Sequence, residues 1–513
     1  MSTAPLQPAS IDLALVSHTN VGKTTLARTL LGREVGEVRD APHVTEVAEV
    51  HVLLRSPDGD ELRLWDTPGF GDSARLVQRL QSSDNPVGWL LREVWDRYRD
   101  RPFWCSQQAV LAARASADVV LYLANAAESP RDAGYLPAEA QILRWLGKPV
   151  LVLLNQIGPP RPRAEEEAER ERWRAQFAAH GLTCDVLPLD AFARCWVQEG
   201  MLLKAVSRHL PAGKTTALAR LQEQWTTGSL ERFAVCMQAL AGQLSAAAHD
   251  AEPIDEPAES VGARVLIRLG LRRDDSARSG AMSALAQRVD IGVKSATESM
   301  IATNGLEGAA TETILKRVQE SYATQDPIPE GRAALLGGVL TGALAGLKAD
   351  LATGGLTMGA GALVGGLLGG LGGAGIARGL NKLTGVERTS LYWPDEFLDG
   401  LLRAGVLRYL AVAHYGRGRG RFVEGESPPF WFEAVQSLIA ERTDGLHAIW
   451  SRARSGSPPE TTARDIEHEL RVLTAEVLTR LYPDAVSFGL RELLRRPRDA
   501  RVVGGASGVA IPA

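Results

Sequence analysis

Cysteine is scarce: the 513 residues hold four, Cys105, Cys184, Cys195 and Cys236, and no two form a C-x-x-C pair. This spacing argues against a zinc ribbon or a disulfide framework and suits a reducing compartment. Strong charge of either sign is also missing, the formal net charge being -4. Without a global attraction to polyanions, nucleic acid is not an expected partner. The opening stretch "MSTAPLQPASIDLALV" has no basic region followed by a long apolar run, so no secretory signal is read and a cytoplasmic place is expected. Length is what the chain has in plenty. A single core stops growing near about 250–300 residues, so two or three domains are expected.

A more local absence lies in "SHTNVGKTT", residues 17–25, where Ser17 stands in place of the first glycine of a phosphate-binding loop. The context is otherwise complete. The short β-branched run "IDLALV" precedes the loop and "TTLARTLLG" follows with helical periodicity. Strand, loop and helix in this order aim backbone N–H groups at phosphate oxygens on a helix N-terminus, and Gly22 lets the chain pass close. Lys23 then reaches the β- and γ-phosphates and Thr24 ligates magnesium. A second G-K-T-T, in "AGKTTALARL" (212–221), follows the helical pattern "LLKAVSRHL" and is read as a helix start only.

"AEVHVLL" and "ELRLWDTPG" read as two strands joined by a hairpin turn at "SPDGD". The second ends in Asp66-Thr67-Pro68-Gly69, a D-x-x-G whose aspartate faces the metal and whose glycine amide senses the γ-phosphate. The polar "RDAPHVTEV" between loop and hairpin is placed as switch I, with Thr45 either closing on magnesium and γ-phosphate or standing as a plain strand-edge threonine. The strands "ADVVLYLA", "KPVLVLLNQIG" and "CDVLPLD" continue the alternation. Residues 1–205 are therefore expected to form an α/β P-loop NTPase (G) domain with a mostly parallel sheet, carrying a tryptophan-rich helical insertion at about 75–115. That insertion directly follows the D-x-x-G, the place of switch II, where it either senses the nucleotide state or packs on the sheet.

On these motifs the chain resembles the Era- and TrmE-like branch of translation-factor-class GTPases, whose loop reads G-x-x-N-x-G-K-[ST]; the likeness covers roughly residues 11–195. It is also similar to a bacterial family of such GTPases that has a long C-terminal domain of unknown function, the "HTN" loop and a Gly-rich stretch. The resemblance implies GTP and Mg2+ as cofactors, and a K+-like monovalent cation near Asn20. Two departures stand out. The glutamine that orients water in many relatives is replaced by Phe70, so intrinsic hydrolysis is expected to be slow, with water positioned by Asp72, a cation or a partner; Asp72 equally suits a helix cap. The N-K-x-D base motif reads Asn155-Gln156-Ile157-Gly158, which loses the guanine-reading aspartate and leaves ATP open as a ligand. Asp190, before Ala191 at the place of the base loop, either supplies that carboxylate or caps the next helix.

The expected nucleotide contacts are thus Ser17, Asn20, Val21, Gly22, Lys23, Thr24, Thr25, Gly69, Asn155, Asp190 and Ala191. Lys23, Thr45 and Asp72 are the candidate catalytic residues, and Thr24, Thr45 and Asp66 the candidate metal ligands.

From about 206 onward strand signals vanish, and helical domains are expected over 206–330 and 386–513, the last dozen residues being disordered. Between them, 331–385 is expected to be a Gly-rich helical hairpin. Glycines at 361, 365, 369 and 373 give small-x-x-x-small spacing, and residues 337–377 either pack inside the helical region, span a membrane, or enter one conditionally. Arg417, Arg419 and Arg421 either touch phosphates or sit in a solvated loop. The expected function is a slow GTP switch whose helical region associates with a membrane, a partner or a second copy, peripherally at the inner membrane. Nucleotide-gated assembly of a dynamin-like or pore-like protein, and a soluble scaffold with a vestigial G domain, are the alternatives.

Overall fold

The computed structural model describes residues 8–31, 49–81, 96, 99–157, 163–191, 195–253, 276–306, 378–380, 389–415 and 429–483. Thr45, Gly158, Trp89, Trp95, the hairpin segment 337–377, the arginines of 417–421 and the tail lie outside them.

The first half forms a six-stranded sheet in the order β2-β3-β1-β4-β5-β6. The strands are β1 (Ser10–Ser17), β2 (Glu49–Arg55), β3 (Glu61–Asp66), β4 (Val119–Asn125), β5 (Val150–Asn155) and β6 (Asp185–Pro188). Only β2, on the edge, runs antiparallel to its neighbour. Its hairpin to β3 turns through Gly59, at φ +89°, with the Ser56 N–H donating to the Asp60 carbonyl at 2.9 Å.

Because side chains alternate along a strand, each strand feeds two cores. Ile11, Leu13 and Leu15 of β1, with Leu121 and Leu123 of β4, pack on one face, which is covered by α1 (Lys23–Leu31), α6 (Trp196–His209) and α7 (Ala212–His249). Ala14, Val16, Val120 and Tyr122 pack on the other. That second face is covered by α2 (Ser73–Gln81), α3 (Arg101–Ser116), α4 (Leu136–Leu146) and α5 (Arg163–Ala179). Helices α2 and α3 belong to the expected insertion and bring Leu76, Leu80 and Phe103 to this core. Full burial of a leucine contributes about 2 kcal/mol, so a strand that is apolar on both faces is held firmly from two sides.

The first core does not stop at the domain's edge. Helix α7 is 38 residues long, and the apolar cluster passes through it into α8 (Ser276–Thr303), α9 (Asp395–Ala413), α10 (Pro429–Ala440), α11 (Thr443–Arg454) and α12 (Pro459–Leu481). Polar ties reinforce the join. Arg220 of α7 forks onto the buried Asp60 at 2.7 and 2.9 Å, and the Trp196 indole donates to the Tyr409 hydroxyl at 3.1 Å.

The helical reading of the region after 206 needs one correction. Strands β7 (Ala251–Pro253), β8 (Arg378–Leu380) and β9 (Thr389–Tyr392) form a small antiparallel sheet in the order β7-β9-β8. Strands of three or four residues are too short to show a period of two, and β7 sits where the proline-rich "DAEPIDEPAES" reads as a linker. Among the described residues no helix is long and apolar enough to cross a membrane.

Candidate functional site

The loop between β1 and α1 is built on two left-handed residues, Asn20 at φ +63° and Gly22 at φ +96°. Asparagine tolerates that conformation, and glycine adopts it freely. A Cβ on Gly22 would also lie 2.9 Å from Asn155 Nδ2, so close approach of the chain requires glycine there. Val21 and Thr25 are buried behind the loop.

Lys23, the first residue of α1, is 8% exposed, and its Nζ donates to Ser17 Oγ at 2.9 Å. Serine in the first loop position thus accepts from the lysine, while its own hydroxyl donates to the His18 carbonyl. Burial pulls the Lys23 ammonium below the usual lysine range, and the charges of Asp66 and Glu139 act against that pull.

Thr24 Oγ1 donates to Asp66 Oδ2 at 2.9 Å, while Asp66 Oδ1 is buried without a hydrogen-bond partner among the described residues. Burial pushes Asp66 above the usual carboxylate range, against Lys23 and the Thr24 bond. A hydroxyl and an unsatisfied carboxylate oxygen are hard donors, and they fit a magnesium ion that takes its remaining ligands from phosphate and water.

Gly69 comes against this cluster so closely that a Cβ there would lie 3.0 Å from Lys23 Nζ and 3.1 Å from Thr19. Its carbonyl accepts from Ser106 Oγ of α3 at 2.9 Å, and the Gly71 N–H donates to the same hydroxyl at 3.1 Å. The insertion therefore grips the D-x-x-G directly. Phe70 is fully buried in the second core, with its N–H donated to the Ser17 carbonyl at 2.9 Å. Its side chain is thereby committed to that core, and it cannot hydrogen-bond. Asp72 Oδ1 accepts from the Arg75 N–H at 3.0 Å, the bond of a helix cap at the start of α2. Of the two expectations for Asp72, the cap is what the structure displays.

At the far end, fully buried Asn155 donates through Nδ2 to the Val21 carbonyl at 2.7 Å and accepts from the Ala191 N–H at 2.8 Å. It joins the phosphate loop to the loop after β6. Asp190 Oδ2 accepts from the Ile157 N–H at 2.9 Å, so this carboxylate braces the segment where N-K-x-D is expected. The reading of Asp190 as a helix cap is corrected: α6 starts later, at Trp196, where Cys195 is the N-cap and its N–H donates to Gln198 at 2.9 Å.

Two residues with a strong hold on the site escape sequence reasoning. Glu139 is fully buried beside the loop, and Ser106 is fully buried beside Gly69. A signal for the first does exist. Leu136, Glu139, Ala140 and Leu143 follow the apolar spacing of α4, so a carboxylate stands on a stripe that should be greasy. Ser106 carries none.

Residues 12–156 match the family described as 50S ribosome-binding GTPase, and residues 330–478 match a domain of unknown function, DUF3482. The chain is 26% identical over 181 residues to the chloroplastic GTPase ERA1 of Zea mays, covering 35% of this chain and 36% of that protein. It is 29% identical over 147 residues to GTPase Der of Myxococcus xanthus, covering 28% of this chain and 26% of that protein. With the tRNA modification GTPase MnmE of a Synechococcus strain the identity is 30% over 155 residues, covering 29% and 34%. The chain thus spans between about a quarter and just over a third of the length of these relatives. Among solved structures, an Aquifex aeolicus Era variant bound to GDP.AlF4- aligns at 21% identity and a TM-score of 0.29, over 39% of this chain and 57% of that one. Era in complex with MgGDPNP and a segment of 16S ribosomal RNA aligns at 21% identity and a TM-score of 0.29, over 40% and 58%. This chain carries an Era-like P-loop GTPase domain, followed by a helical region that includes a domain of unknown function.

Proposed function

We propose that the chain is a slow GTP-binding and hydrolysing switch in which magnesium assists and the helical region reads the nucleotide state. The observation that carries this reading is the convergence of Lys23, Thr24, Asp66 and Gly69, with one carboxylate oxygen of Asp66 left without a hydrogen-bond partner among the described residues. In the proposed complex the loop N–H groups at the start of α1 hold the α- and β-phosphates, and Lys23 leaves Ser17 to reach the β- and γ-oxygens. Thr24 and Asp66 would hold a magnesium ion, which would supply positive charge beside the phosphates. Thr45 closes from switch I, and the Gly69 N–H registers the γ-phosphate. Asn155, Asp190 and Ala191 face the base. The low rate follows from Phe70, which cannot orient water, so a second group or a partner must supply that step.

Two routes lead outward from Gly69. Ser106 connects it to α3, and β3 connects it through the Asp60 turn to α7 and the helical region. For that region we propose a membrane partner engaged through the glycine stripe of residues 337–377, a reading supported by its spacing alone. Sedimentation with liposomes in GTP analogue, in GDP and without nucleotide tests this part, and a pellet fraction that never depends on nucleotide overturns it. The enzymatic part is tested by identifying the nucleotide that copurifies with the protein and by titrating GTP, GDP and ATP side by side. Submicromolar to micromolar GTP binding with slow phosphate release is expected, and the absence of nucleotide binding would remove the proposal.

A further inference from the structure

Glu139 lies outside every nucleotide-binding motif, yet it ties two of them together. Full burial takes its carboxylate out of water, and such a group is kept only where hydrogen bonds and a counter-charge offset the lost hydration. Its Oε1 accepts from His18 Nδ1 at 2.7 Å and from Ser73 Oγ at 2.6 Å; its Oε2 accepts from the Tyr122 hydroxyl at 2.6 Å. The three donors come from three elements: the phosphate loop, the first residue of α2 after the D-x-x-G, and β4. The counter-charge is Lys23. His18 is fixed further by stacking on Tyr135, with ring centroids 4.2 Å apart and planes 10° from parallel. The backbone repeats the link, since His18 and Phe70 form a parallel bridge.

We propose that Glu139 is a positioning residue that holds the phosphate loop and switch II in one register, so that Lys23 and the Gly69 N–H converge on the same γ-phosphate. This inference rests on the GTP-switch reading and adds a prediction to it. A diphosphate is held by loop N–H groups and by Lys23 on its β-oxygens, and none of these is a hydrogen-bond donor to Glu139. A γ-phosphate must be met by loop and switch II together, and the distance between them is what Glu139 controls. Loss of the tie should therefore act on triphosphate binding and hydrolysis and spare diphosphate binding.

The test compares the full-length wild type with Glu139→Gln, Ser73→Ala and the double variant. Each is measured with GDP, with a non-hydrolysable GTP analogue and in single-turnover GTP hydrolysis, with thermal melting as the check on folding. Glu139→Gln should weaken the GTP analogue and slow hydrolysis by about tenfold each, the size of an ordinary coupling between sites, with GDP affinity unchanged within about twofold. Ser73→Ala removes only the α2 donor and should move the same quantities in the same direction by less. The double variant should be little worse than Glu139→Gln, because both act on one link. Equal losses for GDP and the analogue, or unchanged analogue affinity and hydrolysis in a folded variant, would overturn the proposal. If Glu139→Gln does not fold, the GDP-to-analogue affinity ratio of Ser73→Ala decides alone: a shift supports the link, and an unchanged ratio refutes it. Failure of the wild type to bind any guanine nucleotide would strike the GTP-switch reading instead, and with it this inference.

Discussion

The tetrapeptide G-K-T-T occurs twice in this chain, at Gly22–Thr25 and at Gly213–Thr216, and the two copies do entirely different things. In the first, the buried strand β1 delivers the chain into a left-handed glycine, and the lysine is buried against Ser17. In the second, Pro211 precedes the first turn of α7, a Cβ on Gly213 would meet nothing within 4 Å, and Thr215 returns its hydroxyl to the Ala212 carbonyl at 2.8 Å. Lys214 reaches both oxygens of Asp118 at 2.6 and 2.7 Å, and the same Asp118 accepts from the Asp12 N–H at 2.8 Å. One copy buries its lysine within the loop, against Ser17. The other uses it to fasten a 38-residue helix to the sheet. The difference lies in what enters the motif, a strand in one case and a helix-to-helix turn in the other.

The widest separation between the copies is expected from their lysines. Lys23→Ala should lower GTP affinity by about a hundredfold or more, because a buried charge facing phosphate is lost. Lys214→Ala should leave binding unchanged within about twofold and cost about 1 kcal/mol of stability, since the Asp118 pair is partly exposed. Titration calorimetry and thermal melting of both variants measure the contrast, and a binding defect in Lys214→Ala would erase it.

The glycines should separate next. Gly22→Ala meets both a positive φ and Asn155, and a loss of about tenfold or more in affinity is expected. Gly213→Ala has open space in a helix and should be neutral or stabilise by a few tenths of a kcal/mol, roughly part of the alanine-glycine difference in helix propensity. Equal behaviour of the two in denaturant melts and GTP titrations would contradict the assignment of the first loop.

A smaller effect is expected at the base end. Asp190→Ala frees the Ile157 N–H and removes a carboxylate bonded to the altered N-K-x-D segment, so the GTP-to-ATP affinity ratio should fall about tenfold. A ratio that does not move would mean that backbone groups read the base.

The smallest effect concerns the join between halves. The Arg220 guanidinium holds the Asp60 carboxyl down to about 2, below its ordinary 3.8, against the cost of burial. A depressed carboxylate adds stability above its unfolded value, and that stability is lost as pH falls from about 4 toward 2. Asp60→Asn should therefore make acid unfolding in that window shallower than in the wild type, as followed by circular dichroism.

The elements of the first half were legible because strands buried on both faces and helices of nine residues or more repeat their apolar spacing long enough to be seen. β1, β3, β4, β5 and α1 fall where their patterns place them. Lys23, Thr24, Asp66 and Gly69 were legible for another reason, that phosphate chemistry demands those residue types in that order, and the structure gathers them. Ser106 was not, since a serine on a helix that pins a glycine carbonyl 37 residues away leaves no trace in local pattern. Asp190 was half legible. Its position after β6 marked it as important, but only the fold shows that its partner is the Ile157 N–H and that the helix it was expected to cap begins at Trp196. The sheet of β7, β8 and β9 was hidden by short strands separated by long stretches of sequence.

The most direct test of the central claim is one calorimetric series: GTP with Mg2+ titrated into the wild type, Lys23→Ala and Lys214→Ala under identical conditions. The geometry predicts that the wild type and Lys214→Ala bind alike and that Lys23→Ala gives no measurable heat of binding. Wild-type affinity in Lys23→Ala would contradict it.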